Sequence, residues 1–227
     1  MNTITKSYLT AVLMAGAAVT AYALSHWRSD DLGRFCLFLA LFLGAAALKC
    51  RLPGISGNYS PVFFFSLLGA GSLSFSELAI ASALAGIVQC TFKQQRRPSF
   101  IQVCFNAANL CLSTASGFVF IQRLVPGLTD QPKVLCFLLG ACVFYLVNTG
   151  LVSLVLTLVE GGSVSGIWKH WCLGSLPYYL VGTLIAGATM TASNATTVTV
   201  IFLVAPAMLL TTVYYRLWVG SSAALSA

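Results

Sequence analysis

Three asparagines stand well inside long apolar runs of this chain, at Asn106, Asn109 and Asn148, in company with Gln89, Ser113, Thr114 and Ser116. A carboxamide is uncharged and both donates and accepts, so its chemistry is hydrogen bonding and not proton transfer. Asn106 and Asn109 are three residues apart and Ser113 lies four further on, which places all three on one helix face. An amide left unpaired in an apolar medium costs several kcal/mol, so that face must turn toward the protein interior or a wet cavity. Asn148, midway along the following apolar run, is placed to meet it. Two roles suit the same residues. The amides join helices, at roughly 0.6–2 kcal/mol each, or they hold a small polar ligand among Tyr178, Tyr179, Trp168 and Trp171. The run Trp168-Lys169-His170-Trp171 equally suits an aromatic belt at a membrane surface.

An enzyme would need a nucleophile, an acid/base pair or a metal cluster, and the apolar runs hold almost no ionisable groups. No catalytic residue, cofactor or metal site is therefore expected. His26 and His170 fall in separate connections, and His26 with Asp30 or Asp31 reads as a solvated loop before it reads as a metal site. Cys36, Cys50, Cys90, Cys104, Cys111, Cys136, Cys142 and Cys172 show neither CxxC nor Cys/His spacing, and suit packing. Glu77 follows Ser74 at capping-box spacing, which makes it a helix cap, with a ligand or ion contact as the alternative. Glu160, beside Gly161-Gly162, closes a long helix as an interfacial residue.

The elements that position these groups follow from composition. Of 227 residues 58% are hydrophobic and 7% charged, against roughly 25% charged in a soluble domain. So few charges supply no polar shell, and lipid is the expected solvent. The net charge of +7 does not point to nucleic acid, because Lys and Arg fall singly or in small groups between apolar runs, as loops facing anionic headgroups do. The apolar runs are 8–24, 35–48, 61–71, 78–92, 100–124, 134–159, 176–191 and 198–218. A hydrocarbon core of about 30 Å needs roughly 20 helical residues. The runs at 100–124, 134–159 and 198–218 meet that length, the others are short, and 61–71 is the weakest. The expectation is an all-α polytopic integral membrane bundle of about eight segments, six to eight of them true spans. Lys6, a short apolar stretch and Ala21-Tyr22-Ala23 also fit a cleavable leader over residues 1–23.

With eight spans and the N-terminus in the cytoplasm, Lys6, Lys49, Arg51, Lys93, Arg96, Arg97, Lys169 and Arg216 fall inside. Arg28, Arg34, Arg123 and Lys133 fall outside, accompanied by Asp30, Asp31, Glu77 and Asp130. That bias is the one the positive-inside rule expects, so both termini are placed inside. The chain reads as one transmembrane domain over 1–227, divisible into parallel halves 1–97 and 98–218. Pro61 followed by Phe63–Phe65 has its counterpart in Leu176-Pro177-Tyr178-Tyr179, and short interrupted segments in matching positions are where membrane proteins often build binding sites. Ala79/Ala83 and Ser82/Gly86 repeat small residues at four-residue spacing, which permits close helix packing or a homodimer.

The stretches Phe105-Asn106-Ala107-Ala108-Asn109-Leu110-Cys111-Leu112-Ser113, Phe144-Tyr145-Leu146-Val147-Asn148-Thr149, Glu160-Gly161 and Leu176-Pro177-Tyr178-Tyr179-Leu180-Val181-Gly182 carry a resemblance. Over residues 50–215 the chain resembles the multi-helix membrane input regions found ahead of GGDEF and HD-GYP domains in bacterial signalling proteins. More remotely it is similar to the substrate-binding S components of energy-coupling-factor transporters. The first resemblance implies a sensory or ligand-binding module in the bacterial inner (cytoplasmic) membrane with a cytoplasmic signalling partner, and the residues themselves make it non-enzymatic, with Asn106, Asn109, Ser113, Asn148, Tyr178, Tyr179 and Glu77 as ligand-binding candidates. Such proteins continue into an output domain, whereas Trp218 here is followed by nine residues, so a stand-alone relative or a fragment is expected. The second implies a small-solute transporter or its capturing subunit, with a transporter partner. A scaffold whose amides only join helices is the third reading.

Overall fold

The computed structural model describes residues 2–48, 50–51, 58–94, 97–124, 133–168 and 179–186. Helix α1 spans Thr3–Ser25 and α2 Leu32–Ala47. A two-rung antiparallel ladder joins β1 (Cys50–Arg51) to β2 (Asn58–Tyr59), pairing Cys50 with Tyr59 and Arg51 with Asn58. Then come α3 (Val62–Ser72), α4 (Phe75–Thr91), α5 (Phe100–Val119) with a π-helical turn at Phe120–Leu124, and α6 (Lys133–Glu160). Residues 164–168 and 179–186 are also helical, and we label them α7 and α8. The expected runs become helices with shifts of a few residues, and the ladder is the one departure from an all-helical chain among the described residues. The run at 198–218 lies outside them, as do Tyr178 and Trp171.

Helix starts are written in side chains. Asn2 accepts from the Ile4 N–H at 2.8 Å and Asp31 Oδ1 from the Arg34 N–H at 2.9 Å. Ser74 with Glu77, and Ser99 with Gln102, close complete capping boxes on α4 and α5. At its far end α6 gives way to Gly161 and Gly162, whose φ of +81° and +99° are open to glycine at little cost.

Among the described residues three helices are long and apolar enough to cross a membrane: Thr3–Ser25, Phe100–Arg123 and Leu135–Glu160. The first extends beyond what its apolar run alone suggests, because Asn2 caps it and polar residues of its first turn are bonded inward. Thr5 Oγ1 donates to Leu158 O at 3.2 Å and Tyr8 OH to Leu151 O at 2.8 Å. Ala23, in the stretch that resembles a leader cleavage site, is buried beside Ala79 and Cys111. Large apolar side chains such as Ile4, Met14, Leu24, Leu146 and Val159 face outward, each more than half exposed, as a lipid-facing surface requires.

Helix α3 reverses the usual pattern. Its 11 residues extend only about 16 Å, yet every residue from Val62 to Ala70 is buried. A helix apolar on all sides belongs in a core, and α3 packs with Phe38 and Phe42 of α2 and Phe144 of α6. The run that looks weakest as a span is therefore the best-buried of the described helices.

The connections fall into two groups. The loop after α1 is tied to the α3–α4 turn, with Ser74 Oγ donating to Arg28 O at 2.9 Å and Ser76 Oγ to His26 O at 3.0 Å. The start of α1 lies against the end of α6 through the Thr5 and Tyr8 bonds. Between them runs α5, which packs on α1, α3, α4 and α6. Small residues allow the approach: Gly16 sits on Ala108, Gly86 on Ala107, and Gly117 on Gly140. The small-residue stripe of α4 is thus used within the chain, since Ala79, Ser82 and Gly86 are buried.

A methyl group on Gly86 would meet Ala107 Cα at 2.7 Å and Asn106 O at 2.8 Å, both backbone atoms, whereas one on Gly44 would meet nothing within 4 Å. Gly86→Ala should destabilise the protein by about 1–3 kcal/mol and lower its Tm in detergent by several degrees. Gly44→Ala should leave Tm unchanged or slightly raised.

Candidate functional site

The amides picked out above divide between two neighbours. Asn106 Nδ2 donates to Gly86 O of α4 at 2.7 Å. Asn109 Nδ2 donates to Asn148 Oδ1 of α6 at 2.6 Å. Three residues turn a helix through roughly 300°, which leaves the two side chains about 60° apart. That angle is enough for one to face α4 and the other α6 while both share a broad face.

Asn148 carries the connection further, its Nδ2 donating to Tyr179 OH at 3.2 Å. A hydrogen-bonded line thus runs from α5 through α6 to α8. Asn109 and Tyr179 are buried, and Asn148 is half-buried. Ser113, the fourth candidate, donates from Oγ to Asn109 O at 2.7 Å, closing a bond along its own helix beside this line. Inside an apolar bundle such bonds compete with little water, and their loss leaves bare polar atoms.

Rings border the line on one side. Tyr179 lies 4.2 Å from Phe63 between centroids, 4.7 Å from Tyr145 and 6.3 Å from Phe144. Gly182 of α8 packs directly on the Phe63 ring, so a side chain at 182 would displace it. Phe63 and Tyr179 each stand two residues after a proline, Pro61 and Pro177, so the two matching segments of the sequence are brought ring to ring.

Glu77 is not part of this group. Its Oε2 accepts from the Ser74 N–H at 2.8 Å and its Oε1 from Ser29 Oγ at 2.6 Å. It caps α4 and fastens the loop after α1, buried at 1% exposure. Tyr178 lies outside the described residues, and Trp168 is exposed. Among the described residues no group of His, Cys, Asp and Glu has the geometry to hold a metal ion.

Two further contacts could not be paired from the sequence, although Thr114 stood out there as a polar residue in an apolar run. Gln122, on the π-helical turn, donates from Nε2 to Ala70 O at 2.9 Å and so satisfies one of the bare carbonyls at the end of α3. Thr114 Oγ1 meets Ser66 Oγ at 3.3 Å, linking α5 to α3. A π turn inside a helix often marks a functional place, but periodicity cannot reveal one.

Asn109→Leu or Asn148→Leu alone strands the other amide, and each should cost about 1–3 kcal/mol. The double variant removes both partners and should cost less than the sum, with a coupling of about 0.6–1.7 kcal/mol. Equilibrium unfolding of the four proteins in mixed micelles measures it, and additive losses would mean that the two amides do not interact.

The family model for MASE9, a family of membrane-associated sensory domains, matches residues 33–186, from the first turn of α2 to the end of the described part of α8. No curated protein and no solved structure matches the chain. The match covers all three members of the Asn109–Asn148–Tyr179 line and more than half of the sequence, and the chain belongs to the MASE9 family of membrane-associated sensory domains.

Proposed function

We propose that this protein is the membrane-embedded input module of a bacterial signalling system, in the inner membrane and without enzymatic activity of its own. It binds a small ligand at the Asn109–Asn148–Tyr179 line and passes the event to a cytoplasmic output of the GGDEF or HD-GYP kind, on the same chain or on a partner. The observation that carries the reading is this line of hydrogen bonds, which joins three helices inside a stretch that matches a sensory family. A ligand that competes for one of these bonds changes what α8 is held by. Discrete arrangements of this type are what a two-state sensor needs.

The module is polytopic, with both termini in the cytoplasm. Supporting this, the described connections near the start of α1 carry Lys6, Arg51, Lys93 and Arg97 against the single acid Glu160. At the other end Arg28, Arg34, Arg123 and Lys133 are offset by Asp30, Asp31 and Glu77. The excess of positive charge lies on the side of the N-terminus. The ring contact between Phe63 and Tyr179 supports two parallel halves, 1–97 and 98–218, meeting at their proline-led segments.

Asn148→Leu, which cuts the line at its middle, should shift cellular cyclic-di-GMP at least twofold at equal protein level. An unchanged level together with solute uptake by vesicles holding the purified chain would sink the sensory reading in favour of transport. Topology is tested by reporters fused after Phe92 and after Pro126, expected inside and outside respectively. A cytoplasmic signal at both positions would overturn the arrangement.

A further inference from the structure

The hydrogen-bonded line ends on an atom whose demand is unmet. Asn109 is 3% exposed, its Nδ2 is engaged by Asn148, and its Oδ1 is buried with no hydrogen-bond partner among the described residues. A buried carbonyl left bare costs about 1–3 kcal/mol, and native folds leave few of them. The hydroxyls nearby in sequence have their single protons committed elsewhere. Ser113 donates to Asn109 O, Thr149 to Tyr145 O and Thr183 to Tyr179 O, each along its own helix. Thr114 donates across to Ser66.

Among the described residues charge is absent at this level. The described charged residues lie in connections or in the first or last turns of helices, while Asn109 and Asn148 sit in mid-helix. An ion brought to Asn109 would meet no counter-charge among the described residues, and burying one unpaired is prohibitive. Beside the line stand the rings of Phe63, Phe144, Tyr145 and Tyr179, surfaces on which an apolar body packs.

Resting on the sensory reading above, we infer that Asn109 Oδ1 is the recognition atom for an uncharged hydrogen-bond donor with an apolar body, a hydroxyl- or N–H-bearing molecule dissolved in the bilayer. The ligand donates one hydrogen bond to Oδ1 and lays its apolar part toward the rings. A molecule of the same shape that only accepts leaves Oδ1 bare and gains nothing from the amide.

The test uses the full chain in lipid nanodiscs and saturation-transfer NMR with two probes, phenol as donor and acetophenone as an acceptor of similar shape. The comparison protein is the double variant Asn109→Leu/Asn148→Leu, which strands neither amide, with its helicity checked by circular dichroism. Asn109→Ala serves as a second, independent removal of Oδ1. The phenol signal should fall at least threefold in both variants, while acetophenone gives the same signal with all three proteins. An equal phenol signal throughout would overturn the inference, as would an Asn109-dependent acetophenone signal, which would mean that the amide presents a donor. Because binding is read directly, loss of the phenol effect leaves the cyclic-di-GMP test of the sensory reading standing. A phenol effect without any change in cyclic-di-GMP removes that reading alone.

Discussion

The hydrogen bond from Asn109 Nδ2 to Asn148 Oδ1 sets terms for the rest of the bundle. A buried carboxamide and a half-buried one in an apolar interior are tolerable only as partners, so α5 and α6 are held at one register and one separation. Gly117 and Gly140 let the backbones come close enough, with no side chain between them at the crossing. On the opposite flank the Asn106 bond to Gly86 O works in the same way, since a glycine at 86 is what opens its carbonyl to α5. The described helix that carries the most mid-bundle polar groups, α5, is consequently packed on four others.

Helix α3 supplies the contrast. It brings few polar side chains to the interior and is buried on all sides, so its contribution is volume and aromatic surface. Its end is closed by Gln122, and its Ser66 is met by Thr114. At its start Phe63 reaches Tyr179, the residue that receives the last hydrogen bond of the amide line. A short helix that could not cross a bilayer by itself thus becomes the wall of the polar line.

The far end of the bundle is fastened differently. Glu77 is buried and spans two connections, capping α4 with one oxygen and holding Ser29 with the other. A carboxylate at a helix N-terminus is favoured by the bare N–H groups there, which explains how an acid is kept in so enclosed a place without a cation beside it among the described residues. Its work is to fix the loop between α1 and α2, and that separates it from the amide line despite its burial.

Composition and apolar run length determined that the chain is helical and suited to lipid, because the scarcity of charges leaves no polar shell and a continuous apolar run of about 20 residues satisfies its own backbone as a helix. The local capping box of Ser74 and Glu77 also marked where α4 begins, and the mid-run position of Asn109 and Asn148 required that both find partners. Which partner each amide takes was decided by tertiary packing alone. Asn106 and Asn109 share a face in sequence, and only the placement of α4 and α6 on either side of α5 sends one to Gly86 and the other to Asn148. The burial of α3, the closure of its end by Gln122 and the meeting of Phe63 with Tyr179 belong to the same class. Periodicity reports which residues lie together along one helix, and it holds no information about which other helix will stand opposite.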